Sequence, residues 1–133
     1  MVKNNDLIWA TGRRKTSIAQ VRLLPQGDGK VTVNTKPADQ YFHGQERHLN
    51  EVLLPLKVEG AGGYNVTCKV LGGGITGQAG AIRHGIARAL AKIDEKLKKQ
   101  MRVLGYLTRD DRMVERKKSG QPKARKRFQY SKR

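Results

Sequence analysis

Cysteine occurs once in this chain, tryptophan once and phenylalanine twice, and only 11 acidic residues stand against 28 lysines and arginines. A lone cysteine, Cys68, excludes an intrachain disulfide and fits a reducing compartment. No apolar run approaches the roughly 18 residues that a spanning helix needs, so no membrane partner is expected. The first stretch, "MVKNNDLIWATGRRK", lacks the apolar core of a signal peptide and is not the Arg/Ser-rich pattern of a transit peptide. These absences together predict an intracellular, soluble protein. The shortage of acids leaves a formal charge of +17 on 133 residues. Like charges repel in a compact chain, so such a bias predicts a polyanionic partner, nucleic acid before an anionic membrane surface. The length suits one domain with a core able to fold unaided.

What is present is unevenly placed. Residues 116–133 carry nine basic residues and no acid, which leaves the first 115 residues with 19 basic and all 11 acidic residues, a net of +8. Apart from Ala124 the last eighteen residues have no aliphatic side chain. They bury too little apolar surface to offset the entropy of ordering, so an extended basic tail is expected. The expected division is a globular body at 1–100, a transition at 101–115 and the tail at 116–133.

Within the body, "TSIAQVRLL" alternates, with Ala19, Val21 and Leu23 on one face, and reads as a strand. "QGDGK" supplies a turn and "KVTVN" returns with Val31 and Val33, which predicts a hairpin. "LIWA" is a candidate strand before the basic cluster. "PADQYF" opens a short helix. "ERHLNEVLLPL" places Leu49, Val52, Leu53 and Leu56 on a helical face that Pro55 ends or bends. "YNVTCKVL" puts Val66, Cys68 and Val70 on one face of a strand. Ile82, Ile86, Leu90, Ile93 and Leu97 then recur with the period of a single helix, with His84, Arg88, Lys92 and Lys99 opposite. The predicted class is α+β: a small mixed sheet with two or three helices packed on it, followed by the tail.

The segment "VLGGGITGQAG" joins the last strand to the long helix. Gly72, Gly74 and Gly77 fit G-x-G-x-x-G, the dinucleotide fingerprint, and Asp94 lies about 20 residues on. That acid would have to end a second strand, but "LAKIDEKLKK" continues the helical pattern. Gly72 and Gly77 also give G-x-x-x-x-G, yet Gln78 and Ala79 stand where a phosphate-binding loop needs Lys and Ser/Thr. The remaining reading is a sharp strand-to-helix turn with close backbone packing. Its glycines, with Gly80 and Gly85 on the helix, admit near neighbours, and the free N–H groups of the helix start suit a phosphate. The embedded G-I-T-G resembles the loop with which a KH domain clamps an RNA backbone, although four residues do not define that fold.

No enzymatic inventory emerges. His43 and His48 lack metal-ligand companions, Cys68 points inward, and Asp110 and Asp111 are flanked by Arg109 and Arg112 as local ion pairs. No catalytic residue, metal, cofactor or small-molecule substrate is expected. Arg13, Arg14 and Lys15 form a candidate phosphate-binding turn between strands. Phe128 and Tyr130 among Arg127, Lys132 and Arg133 add rings that stack on bases to cations that neutralise phosphates.

Three of these motifs resemble one family. "ATGRRKTSIAQVRL", "GGGITGQAGAIRHGIARAL" and "LTRDDRMVERKKSGQPKARKRFQYSKR" are similar, in order and over essentially the whole chain, to the ninth protein of the small ribosomal subunit in its bacterial or organellar form. The resemblance implies a left-handed β-α-β crossover, an exception to the usual hand. It also implies a non-enzymatic role in the head of the small subunit. The body would bind small-subunit rRNA beside neighbouring head proteins, and the tail would reach the anticodon stem-loop of peptidyl-site tRNA. Ser131, Lys132 and Arg133 would then be the tRNA contacts. The candidate rRNA contacts are Arg13, Arg14, Lys15, Gly72, Gly73, Gly74, Gln78, Arg83, His84, Arg88, Arg109, Arg112, Arg116, Lys117, Lys118, Lys123, Arg125, Lys126 and Arg127. The implied location is the ribosome, in the cytoplasm or in an organellar stroma or matrix. A free-standing RNA or DNA chaperone and a nucleotide-dependent enzyme using the glycine loop are the alternatives.

Overall fold

The computed structural model describes residues 7–25 and 27–131. A five-stranded mixed sheet carries its helices on one face. Strand β1 (Ile8–Arg14) pairs antiparallel with β2 (Ser17–Leu24) across a turn at Lys15 and Thr16, Lys15 having a φ of 53°. In β2 the alternation is strict: Ser17, Ala19, Val21 and Leu23 are buried, and Ile18, Gln20, Arg22 and Leu24 are exposed. The expected strand over "LIWA" therefore exists, but it runs on through Arg13 and Arg14. Those two arginines sit in a strand, and only Lys15 lies in the turn.

The predicted β2–β3 hairpin does not form. The sheet order is β1-β2-β5-β3-β4, with β5 (Asn65–Leu71) lying between β2 and β3 (Val31–Val33). β5 runs antiparallel to β2 and parallel to β3. Residues 27–30 instead carry the chain past the end of β5. Their backbone is held by the Asn65 side chain, whose Oδ1 accepts from the N–H groups of Asp28 (3.0 Å) and Lys30 (3.1 Å). A short strand of alternating valines pairs equally well with any apolar neighbour, and here the neighbour is Val66–Cys68. β3 turns back into β4 (Lys36–Pro37) through Asn34 and Thr35, both with positive φ, the geometry of a two-residue hairpin. The Asn34 carboxamide then extends the ladder beyond β3, accepting from Val70 N (2.9 Å) and donating to Val70 O (3.1 Å).

Helices α1 (Ala38–Tyr41) and α2 (Glu46–Leu53) connect β4 to β5, and a 3-10 turn at Leu54–Lys57 follows α2. Pro55 ends α2 as expected. Helix α3 (Ile75–Ala91) lies across β1 and β2, and α4 (Glu95–Val103) packs on α3. The single long helix predicted through Leu97 is thus two helices, and with α1 and α2 the described residues hold four rather than two or three. The break falls where Asp94 leaves the helical conformation and accepts from Lys96 N (3.1 Å), capping α4. Ile82, Ile86 and Leu90 are fully buried, Leu97 and Met101 continue the same core from α4, and Ile93 lies half-buried in the connection. Full burial of side chains of this size contributes about 1.5–3 kcal/mol each.

Among the described glycines, Gly12 on β1 would seat an added Cβ closest to a neighbour, on the α3 backbone at Ala81 and Gly85. A Cβ on Gly12 would stand 1.9 Å from the Ala81 carbonyl oxygen and 2.3 Å from Gly85 N. Beyond α4, the described residues from 104 to 131 contain turns and bends but no helix or strand.

Candidate functional site

The glycine loop, the β1–β2 turn and the start of α3 converge. Gly72 (φ 76°) and Gly73 (φ 66°) lie in the left-handed region. A Cβ on Gly72 would reach within 2.8 Å of the Thr16 carbonyl oxygen, and one on Gly73 within 2.0 Å of Ser17 Oγ. Ser17 Oγ donates to the Gly72 carbonyl (3.0 Å), and Gln78 Nε2 donates to the same oxygen (3.1 Å). Tyr41 in turn donates to Gln78 Oε1. The expected tight packing is therefore present at Gly72 and Gly73, against the chain's own β2. At Gly74 a Cβ would meet open space. Gly74 begins α3 with extended backbone and no side-chain cap, so the first-turn N–H groups have no side-chain acceptor from that residue. Asp94, the acid a dinucleotide site requires, caps α4 instead of ending a strand.

The basic side of α3 turns toward the sheet. β1 is an edge strand, and its outward-facing polar groups are met in a row. His84 Nδ1 accepts from Arg13 N (3.3 Å), an Arg88 guanidinium nitrogen donates to Thr11 O (2.6 Å), and Lys92 Nζ donates to Trp9 O (2.5 Å). Steps of four along the helix match steps of two along an antiparallel strand. The row also closes an edge that would otherwise pair with another chain. His84 Nε2 lies 3.3 Å from the Leu107 carbonyl oxygen. Accepting at Nδ1 and donating at Nε2 requires the neutral imidazole. Burial lowers its pKa from the ordinary value, and Arg88, Arg109 and Arg83 add to that effect while the bond to Leu107 opposes it.

Around the first turns of α3, arginines share carboxylates. Glu51 on α2 accepts from Arg14 (3.3 Å) and lies 3.7 Å from Arg83, whose guanidinium also sits over the Tyr106 ring. The Arg14 stem occupies the space that a side chain on Gly80 would need. Asp110 stands 3.7 Å from Arg14 and forms a two-pronged pair with Arg112 at 2.8 to 3.2 Å. That pairing, with the Arg112 backbone N–H, holds the Asp110 carboxyl well below the usual carboxylate range. Arg109 donates to the Lys15 carbonyl (3.4 Å), tying the segment after α4 to the β1–β2 turn. Glu115 holds Lys118 (2.8 Å) and Arg125 (2.9 Å), and these bonds lower its pKa.

Arg13, Lys15, Arg116, Lys117, Lys123, Lys126 and Arg127 are exposed, as are Phe128, Tyr130 and Ser131; Lys132 and Arg133 lie outside the described residues. His48 is buried against Phe42, and Cys68 is buried on β5, both as packing residues. Among the described residues no group of three His, Cys, Asp or Glu is placed to hold a metal, and no helix is long and apolar enough to cross a membrane. Glu51 and Tyr106 belong to the cluster but carried no signal in the sequence, since only the fold brings α2 and the segment after α4 to α3.

Residues 12–133 match the family described as ribosomal protein S9/S16. The chain belongs to that family. Two proteins named small ribosomal subunit protein uS9 are among its relatives: one from Gloeothece citriformis, 49% identical over 132 residues, covering 98% of this chain and 96% of its own, and one from a Synechococcus strain, 51% identical over 126 residues, covering 94% and 92%. A third, from Prochlorococcus marinus, is 45% identical over 133 residues, covering 99% and 97%. S9/S16 membership accords with the bacterial or organellar resemblance, and the family is ribosomal rather than enzymatic.

Proposed function

We propose that this chain is a structural constituent of the small ribosomal subunit, in the head, where its body binds rRNA and its C-terminal residues reach the peptidyl-site tRNA. The observation that carries the proposal is a family match from residue 12 to the last residue, with relatives at about half identity over nearly their whole length. The charge distribution supports it: nine cations and no acid in residues 116–133 favour a phosphate backbone as partner. The proposal retains the division into body, transition and tail, the left-handed connection from β3 to β5, and the cytoplasmic or organellar ribosome as location. Within the rRNA set, Lys15, Arg116, Lys117, Lys123, Lys126 and Arg127 are proposed as direct phosphate ligands because they are exposed. Arg14, Arg83, His84 and Arg88 are proposed to act chiefly by positioning, since each already holds an internal partner.

Phosphate contact is sequence-tolerant, as suits a site through which every elongator tRNA passes. If about five tail charges are neutralised, a fourfold rise in salt weakens binding of the isolated tail by roughly 10²-fold. The test is deletion of Ser131 to Arg133. Subunits should still assemble while tRNA affinity or reading-frame fidelity falls; unchanged values for both would refute the tail role. Sedimentation in high-salt gradients separates this reading from a free-standing chaperone, which would leave the subunit.

A further inference from the structure

The helices cover one face of the sheet, and the opposite face is open. On that face β1 shows Trp9 and Arg13, β2 shows Ile18, Gln20, Arg22 and Leu24, and β5 shows Thr67, Lys69 and Leu71. No position of this set is acidic. Strand register places Trp9 beside Arg22, Arg22 beside Thr67 and Gln20 beside Lys69. With about 3.4 Å per residue and about 4.8 Å between strands, Arg13, Arg22 and Lys69 are spaced about 8 to 14 Å apart at the backbone. The Trp9 ring is half exposed, and the Arg22 guanidinium lies 4.0 Å from its centroid. Two shallow hollows flank this pair. One, of about 340 Å³, lies at the β1 edge, where Trp9 and Gln20 meet Arg88 and Lys92; the other, of about 350 Å³, includes Arg22, Thr67 and Lys69.

We propose that this open sheet face is a second RNA-binding surface, for an unpaired RNA segment. Arg13, Arg22 and Lys69 neutralise its phosphates, and a base joins the Trp9–Arg22 stack. Duplex RNA keeps its bases stacked inside the helix, whereas an unpaired strand presents base planes to an aromatic side chain on a flat sheet. The absence of carboxylates and the three cations favour RNA over a protein neighbour, for which Ile18, Leu24 and Leu71 beside Trp9 are scattered among polar side chains. Apart from Arg13, this face holds none of the rRNA contacts expected from the sequence, and the inference rests on the reading of the chain as an RNA binder.

Trp9 is the only tryptophan, so its fluorescence reports on this face directly. The full chain is titrated with a short unpaired RNA carrying a distal label. The expected result is saturable quenching of Trp9 at the RNA concentrations at which the label reports binding. The pair Arg22→Gln and Lys69→Gln should lower the log–log salt slope by about 1.4, the share of two single-strand contacts. Lys98→Gln with Lys99→Gln, on exposed α4 positions, should leave that slope nearly unchanged. Should the sheet variant fail to fold, quenching in the unaltered chain still decides the matter. RNA that binds while Trp9 stays silent overturns this inference alone and leaves the face to a protein neighbour. Failure of any RNA to bind overturns the inference and the proposed function together.

Discussion

Replacing Gly12 by alanine should destabilise the fold strongly, because the added methyl group meets only backbone atoms of α3. The new Cβ would stand 1.9 Å from Ala81 O, 2.3 Å from Gly85 N and 2.8 Å from Gly85 Cα. All three are backbone atoms of α3, so no rotamer change relieves the overlap, and α3 must withdraw from β1 by about 1 Å to restore contact near 3.0 Å. Overpacking of this kind costs about 1–3 kcal/mol. Withdrawal also stretches the bond from Arg13 N to His84, already 3.3 Å long, beyond hydrogen-bond range, for about 1 kcal/mol more. The sum is roughly 2–4 kcal/mol, a large part of the ~5–15 kcal/mol that holds a domain folded. The assay is urea unfolding followed by Trp9, which lies on the same strand. With a slope of about 1.5 kcal/mol per molar urea, the midpoint should fall by roughly 1.3–2.7 M. Gly74→Ala is the control: its Cβ meets open space, and a glycine cap exchanged for alanine changes stability by only about 1 kcal/mol or less. A Gly12→Ala midpoint within about 0.3 M of the parent would refute the reasoning.

His84 makes stability depend on pH. Its folded pKa is lowered, so the unfolded chain takes up the proton first; the contribution is complete above about 6.5 and declines as pH falls below it. Urea midpoints should drop between pH 7 and pH 5.5, and His84→Gln should flatten that drop. Glu51→Gln should cost about 1–3 kcal/mol, because half-buried Arg14 and Arg83 lose the carboxylate they share, and less at high salt, where their repulsion is screened. Burial pushes the Cys68 thiol up to about 12, so iodoacetamide at pH 8 should label it only as fast as the chain opens, and rapid labelling of the folded protein would contradict its placement.

Local patterns were readable where one face of an element is buried. β2 and β5 alternate because α3 covers one side of each, and Ile82, Ile86 and Leu90 keep helical period for the same reason. Partner choice was not readable. Val31 and Val33 make a strand, but nothing local says that β5 rather than β2 lies beside it. The break between α3 and α4 is hidden because the apolar period continues across it; its signal is Asp94 followed by Glu95, an N-cap and an acidic first turn. Among the site residues, the exposed cations of the turn and tail carry their meaning in composition. His84, Arg88 and Lys92 do not. Their spacing marked a polar face, and only the sheet edge against which they lie gives them partners.

That row of three has a built-in limit. Four helical residues advance about 6.0 Å, while two strand residues advance about 6.8 Å. Helix and strand therefore act as a vernier, falling out of step by about 0.8 Å at each rung. Two steps accumulate about 1.6 Å, and the last rung is given to lysine, whose flexible four-carbon stem absorbs the mismatch. A fourth rung would be further out of step still, and the helix stops at Ala91, just before Lys92 makes the third.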